Sequence, residues 1–324
     1  MSVVVTGAAG FIGFHVSQAL LDRGDSVIGI DSLSDYYSVA LKEARLERLK
    51  QARGFAFHRV DIAERGALER IFKQHPQIDR IVHLAAQAGV RHSIENPRAY
   101  GAANLIGHLE VLEASRNLKG LKHLVFASSS SVYGGNTKLP FAVEDRVDTP
   151  QSLYAATKKA DELMSCSYAH LYGIPSTGLR FFTVYGPWGR PDMAAWLFTA
   201  AILGGTPIKL FNRGLMRRDF TYIDDIVNGV LLCLDKPPHG ALPYKIYNLG
   251  NHRSEELMRL VALLESAIGR KAKLELLPMQ PGDVEATYAD ISETARDLGF
   301  SPTTSIDVGV PRFVDWYLAF HKGR

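Results

Sequence analysis

The sequence predicts an α/β protein in which a doubly wound parallel sheet is followed by a smaller α/β lobe. Two observations carry this prediction. Short apolar runs alternate with amphipathic stretches through the first half of the chain, as expected for parallel strands joined by right-handed crossovers. The chain has 324 residues, of which 46% are hydrophobic, so it can form two lobes with packed cores.

The first half reads as short buried strands separated by helices. The predicted strands are SVVVTG, SVIGID, FAFHRVD, RIVHLAA and LKHLVFASS, and the helices quoted with them are FIGFHVSQALLDRG and ERGALERIFKQH.

The alternation loosens beyond about residue 180. Three segments rich in glycine and proline interrupt it there, which predicts that a second lobe begins near this point. Two later segments, RDFTYIDDIVNGVLLCLD and KIYNLG, are candidates to return to the first sheet. The interrupting segments are GPWGRPDM, KPPHGALP and LPMQPGD.

Composition argues against several classes of function. A net charge of +3 and the lack of a dense Lys/Arg block argue against nucleic acid. Cys166 and Cys233 are too few for a disulfide framework, and neither they nor the eleven scattered histidines have metal-site spacing. The opening MSVVVTGAAG has no leader pattern, and no apolar run is long enough to span a bilayer. We therefore expect a cytoplasmic protein with no metal and no membrane or nucleic-acid partner.

A glycine-rich turn, VTGAAGFIGFH, stands between the first strand and the first helix. Gly7, Gly10 and Gly13 let the backbone turn tightly, and a pyrophosphate can approach the free N–H groups at the helix N-terminus. The spacing is GxxGxxG rather than the general GxGxxG, and such a turn can also be purely structural. We take the turn, with Phe11 and Ile12, as a candidate dinucleotide site.

Acidic residues end the next two strands. Asp31 is placed to accept hydrogen bonds from a ribose 2'-OH and to repel a 2'-phosphate, which favours NAD over NADP. Asp61, with Ile62, is a candidate contact for the adenine, and its alternative role is a helix N-cap.

Tyr154 and Lys158 lie four positions apart in SLYAATKKAD, on one face of a predicted helix. A cation beside a phenol favours the phenolate, which makes Tyr154 a candidate base. A YxxxK pair alone is weak evidence, but Ser129 ends a strand of the same sheet 25 positions upstream. A serine, a tyrosine and a lysine at this separation indicate a catalytic set.

The glycine turn, SSSSVYG, SLYAATK and RFFTVYGPWGRPDM together resemble the extended short-chain dehydrogenase/reductase superfamily, and within it the nucleotide-sugar epimerases and dehydratases. The likeness covers nearly the whole chain. Longer stretches are similar to UDP-glucuronate 4-epimerases: DSLSDYYSVALKEARLERL, AAQAGVRHSIENP and LRFFTVYGPWGRPDMA. The resemblance implies a Rossmann NAD-binding domain at 1–181 and about 219–250, and a nucleotide-sugar-binding domain at about 182–218 and 251–324.

The resemblance implies that Tyr154 is the base, that Lys158 favours its phenolate and holds the nicotinamide ribose, and that Ser129 orients the sugar 4'-OH. Hydride would move from C4' to NAD and return to the other face of a 4-keto sugar. Related decarboxylases carry Glu before VYG, and 4,6-dehydratases carry an Asp-Glu pair. Ser130 and Ser131 stand there in this sequence, which favours simple epimerisation, unless they merely finish a strand.

The resemblance also implies a set of substrate contacts. Thr183 and Arg190 would lie near the sugar carboxylate, which an Arg fork binds bidentately. Arg218 would pair with the diphosphate, Asp283 would hold the uridine ribose, and Arg91 would either reach the sugar or cap a loop. UDP-galactose 4-epimerases tend to carry Arg where this chain has Gln280.

The sequence therefore predicts an NAD-dependent enzyme of the UDP-glucuronate 4-epimerase type that makes UDP-galacturonate. A UDP-glucuronate decarboxylase, a UDP-galactose 4-epimerase and a non-catalytic NAD-binding module remain as alternatives. By analogy with relatives, helices at 102–117 and 154–171 are candidates to pair across a two-fold axis, which predicts a homodimer.

Overall fold

A computed structural model describes residues 1–279 and 284–322. Its central feature is a seven-stranded sheet, accompanied by three two-stranded sheets. The strands are β1 (Ser2–Thr6), β2 (Ser26–Asp31), β3 (Phe55–Arg59), β4 (Arg80–His83), β5 (His123–Ser129), β6 (Ser176–Phe181), β7 (Thr183–Tyr185), β8 (Pro207–Leu210), β9 (Arg217–Arg218), β10 (Phe220–Tyr222), β11 (Tyr244–Leu249), β12 (Glu255–Glu256) and β13 (Lys273–Leu276).

Helices follow most of the strands, and a π-helical turn (Gly101–Ile106) and two 3₁₀ turns (Ser130–Tyr133 and Phe211–Gly214) complete the regular structure. The α-helices are α1 (Phe11–Asp22), α2 (Val39–Lys50), α3 (Ala67–Gln74), α4 (His92–Glu95), α5 (Pro97–Tyr100), α6 (Gly107–Arg116), α7 (Leu153–Tyr172), α8 (Ala194–Gly204), α9 (Ile223–Leu234), α10 (Leu257–Ile268), α11 (Ser292–Leu298) and α12 (Ile306–Lys322).

The central sheet is parallel throughout, with strand order β11-β6-β5-β4-β1-β2-β3. Consecutive residues Val3, Val4 and Val5 of β1 are all fully buried, because helices cover both faces of the sheet. The order reverses between β1 and β4, and in such sheets the crevice at that reversal is the usual ligand site. The predicted Rossmann-type α/β fold is confirmed.

The two segments that were candidates to rejoin the sheet behave differently. KIYNLG forms β11 and pairs with β6, as predicted. The strand part of RDFTYIDD, β10, pairs instead with β7 in a separate sheet, so that part of the prediction is wrong. Asp219 comes just before β10, and its carbonyl accepts the N–H of Thr183 at 3.1 Å, which sets β10 beside β7. Its buried carboxylate accepts the N–H groups of Asn251 and Ala289.

The second lobe contains short parallel and antiparallel pairs, β8 with β13 and β9 with β12. Helix α10 packs on α8 and α12 around an apolar core. Over the described residues, no helix has the length and apolar character needed to cross a membrane.

Candidate active site

A cavity of about 640 Å³ opens at the carboxyl ends of β1, β2, β4 and β5 and extends to the second lobe. Most of the residues predicted for cofactor, catalysis and substrate meet here. The predicted residues that line it are Gly7, Gly10, Phe11, Ile12, Gly13, Asp31, Asp61, Ile62, Ser129, Ser130, Ser131, Tyr154, Lys158, Thr183, Arg190 and Arg218.

The glycine turn is too tight for side chains. Gly7 has φ +71°, a conformation that glycine adopts without strain. A Cβ on Gly13 would stand 2.0 Å from the Gly7 carbonyl oxygen, and one on Gly10 would stand 2.9 Å from the same oxygen. The backbone at the start of α1 is therefore left bare toward the cavity, which is the form of a phosphate cradle.

Asp31 braces this turn. Its carboxylate accepts the N–H of Ala9 at 3.0 Å and the N–H of Leu33 at 2.8 Å, so the acid is held at the end of β2. Asp61 accepts the N–H of Ala63 at 2.9 Å within its own turn. Since α3 begins only at Ala67, Asp61 is not the N-cap of that helix.

Helix α7 carries Tyr154 and Lys158 into the cavity. The helix begins there because Ser152 is its N-cap and accepts the N–H of Ala155 at 3.1 Å. The Lys158 ammonium donates to Asp161 at 2.7 Å in a pair that is almost wholly buried, with side chains 3% and 1% exposed. The sequence analysis missed Asp161, although its place one helical turn after Lys158 was a usable signal.

Behind this pair lies a layer of buried histidines. The rings of His83 and His108 stand 5.1 Å apart, and His83 shares a hydrogen bond with the Thr6 hydroxyl at 2.7 Å. Burial lowers the pKa of His83 to about 3, and burial raises the pKa of Asp161 to about 6 although Lys158 opposes that shift. Burial also lowers the pKa of His108, so both histidines are neutral at neutral pH.

The predicted serines lie at the end of β5. Ser129 ends the strand, and its Oγ accepts the N–H of Ser131 at 3.2 Å, which starts a 3₁₀ turn. The turn leaves Ser129, Ser130 and Ser131 lining the cavity. Ser128 lines it as well, and its hydroxyl donates to the buried Glu162 at 2.7 Å.

Arg190 reaches the cavity from the loop 186–193. Its Nε donates to Asp192 Oδ1 at 3.0 Å and its Nη2 donates to Asp192 Oδ2 at 2.5 Å. The Tyr36 hydroxyl, from the first lobe, also donates to Asp192 Oδ2 at 3.0 Å. Thr183 lies at the start of β7 and lines the same cavity.

The remaining predicted contacts have different outcomes. Arg218 lines the cavity and donates from Nη1 to the carbonyls of Arg217 and Glu285, at 2.8 and 3.1 Å. Within the described part of the chain, Arg91 is not among the lining residues, and its guanidinium stands 4.4 Å from the centroid of the Phe211 ring. Asp283 and Gln280 lie outside the described residues.

Arg45 is a structural residue that the sequence analysis missed. Its guanidinium is fully buried and ties the two halves of the cavity together. Nη1 donates to the carbonyl of Ala9 in the glycine turn and to the Tyr37 hydroxyl, both at 2.9 Å. Nη2 donates to the carbonyls of Trp188 and Gly189 at 2.6 and 3.1 Å. The glycine turn and the loop 186–193 are thus held by one side chain.

Comparison with known proteins identifies a family. Residues 3–250 match the model of the NAD dependent epimerase/dehydratase family.

Relatives that match nearly the whole of this chain include UDP-glucuronate 4-epimerases. A probable UDP-glucuronate 4-epimerase of Rhizobium meliloti is 47% identical over 98% of this chain and 97% of its own length. UDP-glucuronate 4-epimerase 3 of Arabidopsis thaliana is 47% identical over 99% of this chain and 77% of its own. The crystal structure of the UDP-glucuronic acid 4-epimerase of Bacillus cereus, in complex with UDP-glucuronic acid and NAD, superposes with a TM-score of 0.92 at 34% identity. That match covers 99% of this chain and 100% of the other.

Proposed function

The chain belongs to the NAD-dependent epimerase/dehydratase family, and on that premise we propose that it interconverts UDP-glucuronate and UDP-galacturonate through a 4-keto intermediate. It is a nucleotide-sugar epimerase, as its relatives and structural neighbours are, and its cofactor is NAD. The observation that carries the substrate proposal is the single cavity in which Tyr154, Lys158 and the glycine turn meet Arg190, with serines in place of acids.

The described residues fit a dinucleotide. The first turn of α1 offers its N–H groups to a pyrophosphate, because Gly10 caps the helix without a side-chain hydrogen bond. Glycine at position 13 lets the helix pack against the Gly7 carbonyl. The Asp31 carboxylate stands at the end of β2, where it can accept from ribose hydroxyls, and Lys158 can donate to the second ribose from α7. When bound, NAD supplies the hydride acceptor that takes hydrogen from C4' and gives it back to the opposite face.

Tyr154 removes the proton of the sugar 4'-OH and later returns a proton to the same oxygen. Lys158 lies one helical turn after Tyr154 on α7, and Asp161 holds its ammonium in place. Ser129 donates to or accepts from the 4'-oxygen and fixes its position relative to Tyr154. No other protein group is required, because each proton and hydride that leaves the sugar comes back to it.

The 4-keto uronate is a β-keto acid, and its carboxylate is lost when the breaking bond stands perpendicular to the carbonyl plane. Ser130 and Ser131 supply no carboxyl group to assist that loss or an elimination. Arg190 is proposed to bind the carboxylate bidentately and keep it in the plane of the ring. Together these residues favour epimerisation over decarboxylation.

A homodimer is proposed for the assembly. Helix α7 carries exposed leucines at positions 163 and 171, 60% and 62% exposed, and Ile106 in the turn before α6 is 49% exposed. Large apolar side chains grouped on neighbouring helices are typical of a subunit interface.

The test is proton NMR of the purified protein with UDP-glucuronate and no added NAD, following the anomeric and H4 signals. Build-up of UDP-galacturonate to a steady ratio is expected, because the cofactor is retained between turnovers. A pentose signal with release of carbon dioxide would instead identify a decarboxylase. Turnover of UDP-galactose alone would identify a hexose epimerase.

Tyr154→Phe is the control variant for that experiment. It removes one oxygen, so turnover should disappear while the NAD content of the purified protein stays at the parental level. Turnover that survives in Tyr154→Phe would show that another group is the base.

A further inference from the structure

Arg190 has two edges that can each form a pair of hydrogen bonds, and the structure fills one of them. A guanidinium carries five N–H donors, one on Nε and two on each Nη. Asp192 takes the Nε donor and one Nη2 donor, at 3.0 and 2.5 Å. Within the described chain, Nη1 of Arg190 donates to no protein acceptor, so the edge formed by Nη1 and Nη2 keeps its donors.

The filled edge faces away from the cavity. Arg190 and Tyr36 line the cavity, whereas Asp192 is not among its lining residues in the part of the chain described. The carboxylate therefore holds the guanidinium from behind. A long Arg side chain without such a partner samples many rotamers, and the pairing removes that freedom before a ligand arrives.

Tyr36 fixes the position of Asp192 from the first lobe. Its hydroxyl donates to Oδ2 at 3.0 Å, and its ring packs on His92 with centroids 4.7 Å apart. Burial and the Asp192 charge raise the pKa of Tyr36 to about 12, so the hydroxyl stays a donor. Burial alone would raise the pKa of Asp192, but Arg190 and the Tyr36 hydroxyl together lower it, so the carboxylate stays charged.

We propose that Asp192 and Tyr36 are positioning residues that set the carboxylate specificity of this enzyme by presenting the Nη1–Nη2 edge of Arg190 to the substrate. The inference rests on the proposed function, since it assumes that the ligand is a uronate. Asp192 offsets the charge of Arg190, so the site selects a planar acceptor with two oxygens by geometry more than by attraction. A neutral hydroxymethyl group cannot occupy both donors.

The experiment measures dissociation constants of NAD-saturated protein for UDP-glucuronate and UDP-glucose by calorimetry, in the Tyr154→Phe background so that nothing turns over. The parent is expected to prefer the uronate. Asp192→Asn should weaken UDP-glucuronate binding about tenfold, the scale of one lost charge-assisted contact, and leave UDP-glucose binding unchanged. In the active enzyme the same variant should raise the KM for the uronate while kcat stays the same.

Asp35→Asn is the matched control. Asp35 is exposed and precedes Tyr36 in the sequence. Asp35→Asn removes the same charge as Asp192→Asn but leaves the Arg190 contacts intact, so the variant should prefer the uronate as strongly as the parent does. Tyr36→Phe deletes one oxygen and should lower the preference by about threefold, the scale of one hydrogen bond. It also carries the test if Asp192→Asn does not fold.

Three results would overturn the proposal, and they differ from failure of the proposed function. Equal weakening for both sugars would mean that Asp192 only maintains the fold. Unchanged or tighter uronate binding in Asp192→Asn would mean that the carboxylate competes with the substrate. The same loss in Asp35→Asn would mean that net charge is the cause. If the parent itself shows no preference for the uronate, the proposed function fails first.

Discussion

Gly13→Ala tests whether the glycine turn is the cofactor cradle. The added Cβ would stand 2.0 Å from the Gly7 carbonyl oxygen, about 1.4 Å inside the 3.4 Å at which ordinary contact begins. It would also stand 3.2 Å from the Ala8 Cα. Both neighbours belong to the backbone, and Gly7 is tied to β2 by its N–H bond to the Ile30 carbonyl at 2.7 Å. Rotation of a side chain cannot relieve this overlap, so α1 must move away from the turn.

The size of the effect follows from that displacement. Forcing a methyl group into a packed site typically costs 1–3 kcal/mol, and we expect about 3 kcal/mol because the contact is backbone to backbone. A shift of about 1 Å at a positioned group costs on the order of a hundredfold in function, and we expect NAD affinity to fall by at least that factor. The protein should therefore purify with little NAD.

The assay has two parts. Chromatography measures the NAD released from the purified protein, and urea unfolding in buffer without NAD measures the free energy of unfolding. Gly204→Ala is the matched control, because Gly204 ends α8 and a Cβ there meets nothing within 4 Å. Its NAD content should match that of the parent, and its unfolding free energy should be equal or up to about 1 kcal/mol higher. Parental NAD content and stability in Gly13→Ala would refute the reasoning.

Three further predictions follow from the site and its surroundings. Arg190→Leu should raise the KM for UDP-glucuronate and release some pentose product. An unchanged KM would show that Arg190 does not bind the substrate. Arg45→Met should lower the unfolding free energy by about 2 kcal/mol because three carbonyls lose their donor, and a more stable variant would show that desolvation of the guanidinium outweighs its bonds. Burial lowers the pKa of His123 to about 4. As the pH falls below 6.5, His123 is therefore protonated in the unfolded chain before it is protonated in the folded one, and the folded state loses stability. The parent should lose about 3 kcal/mol from this site by pH 4, and His123→Asn should lose correspondingly less between pH 6.5 and 4 in urea titrations.

Local pattern was sufficient to predict the parts of the site that lie within single elements. The glycine turn, Asp31 at a strand end and the Tyr154–Lys158 pair on α7 each depend on residues close together in sequence, and all line one cavity. The parallel, doubly wound character of the sheet followed from the alternation of strands and helices. The pairing of β10 with β7 did not follow from it.

The contacts that join distant segments could not be predicted from the sequence. Arg45 lies 143 positions from Trp188, and Tyr36 lies 156 positions from Asp192, so neither pairing leaves a periodic or local signal. Asp161 was within reach, because three positions separate it from Lys158 and residues at that spacing share a helix face. Its burial, which makes it an internal counter-ion instead of a surface acid, required the packed structure.

The four hydrogen bonds of Arg45 also set a rule for recombining enzymes of this fold. A chimera that takes the first lobe from one relative and the loop 186–193 from another joins the Arg45 of one parent to the carbonyls of the other. Exchanging α2 with the loop keeps Arg45 with those carbonyls. The accepting carbonyls at 188 and 189 are backbone groups, so the side chains there can vary, but the carbonyls must lie where the Arg45 guanidinium can reach them. The natural boundary for transplanting substrate preference therefore includes residues 39–50 of the first lobe.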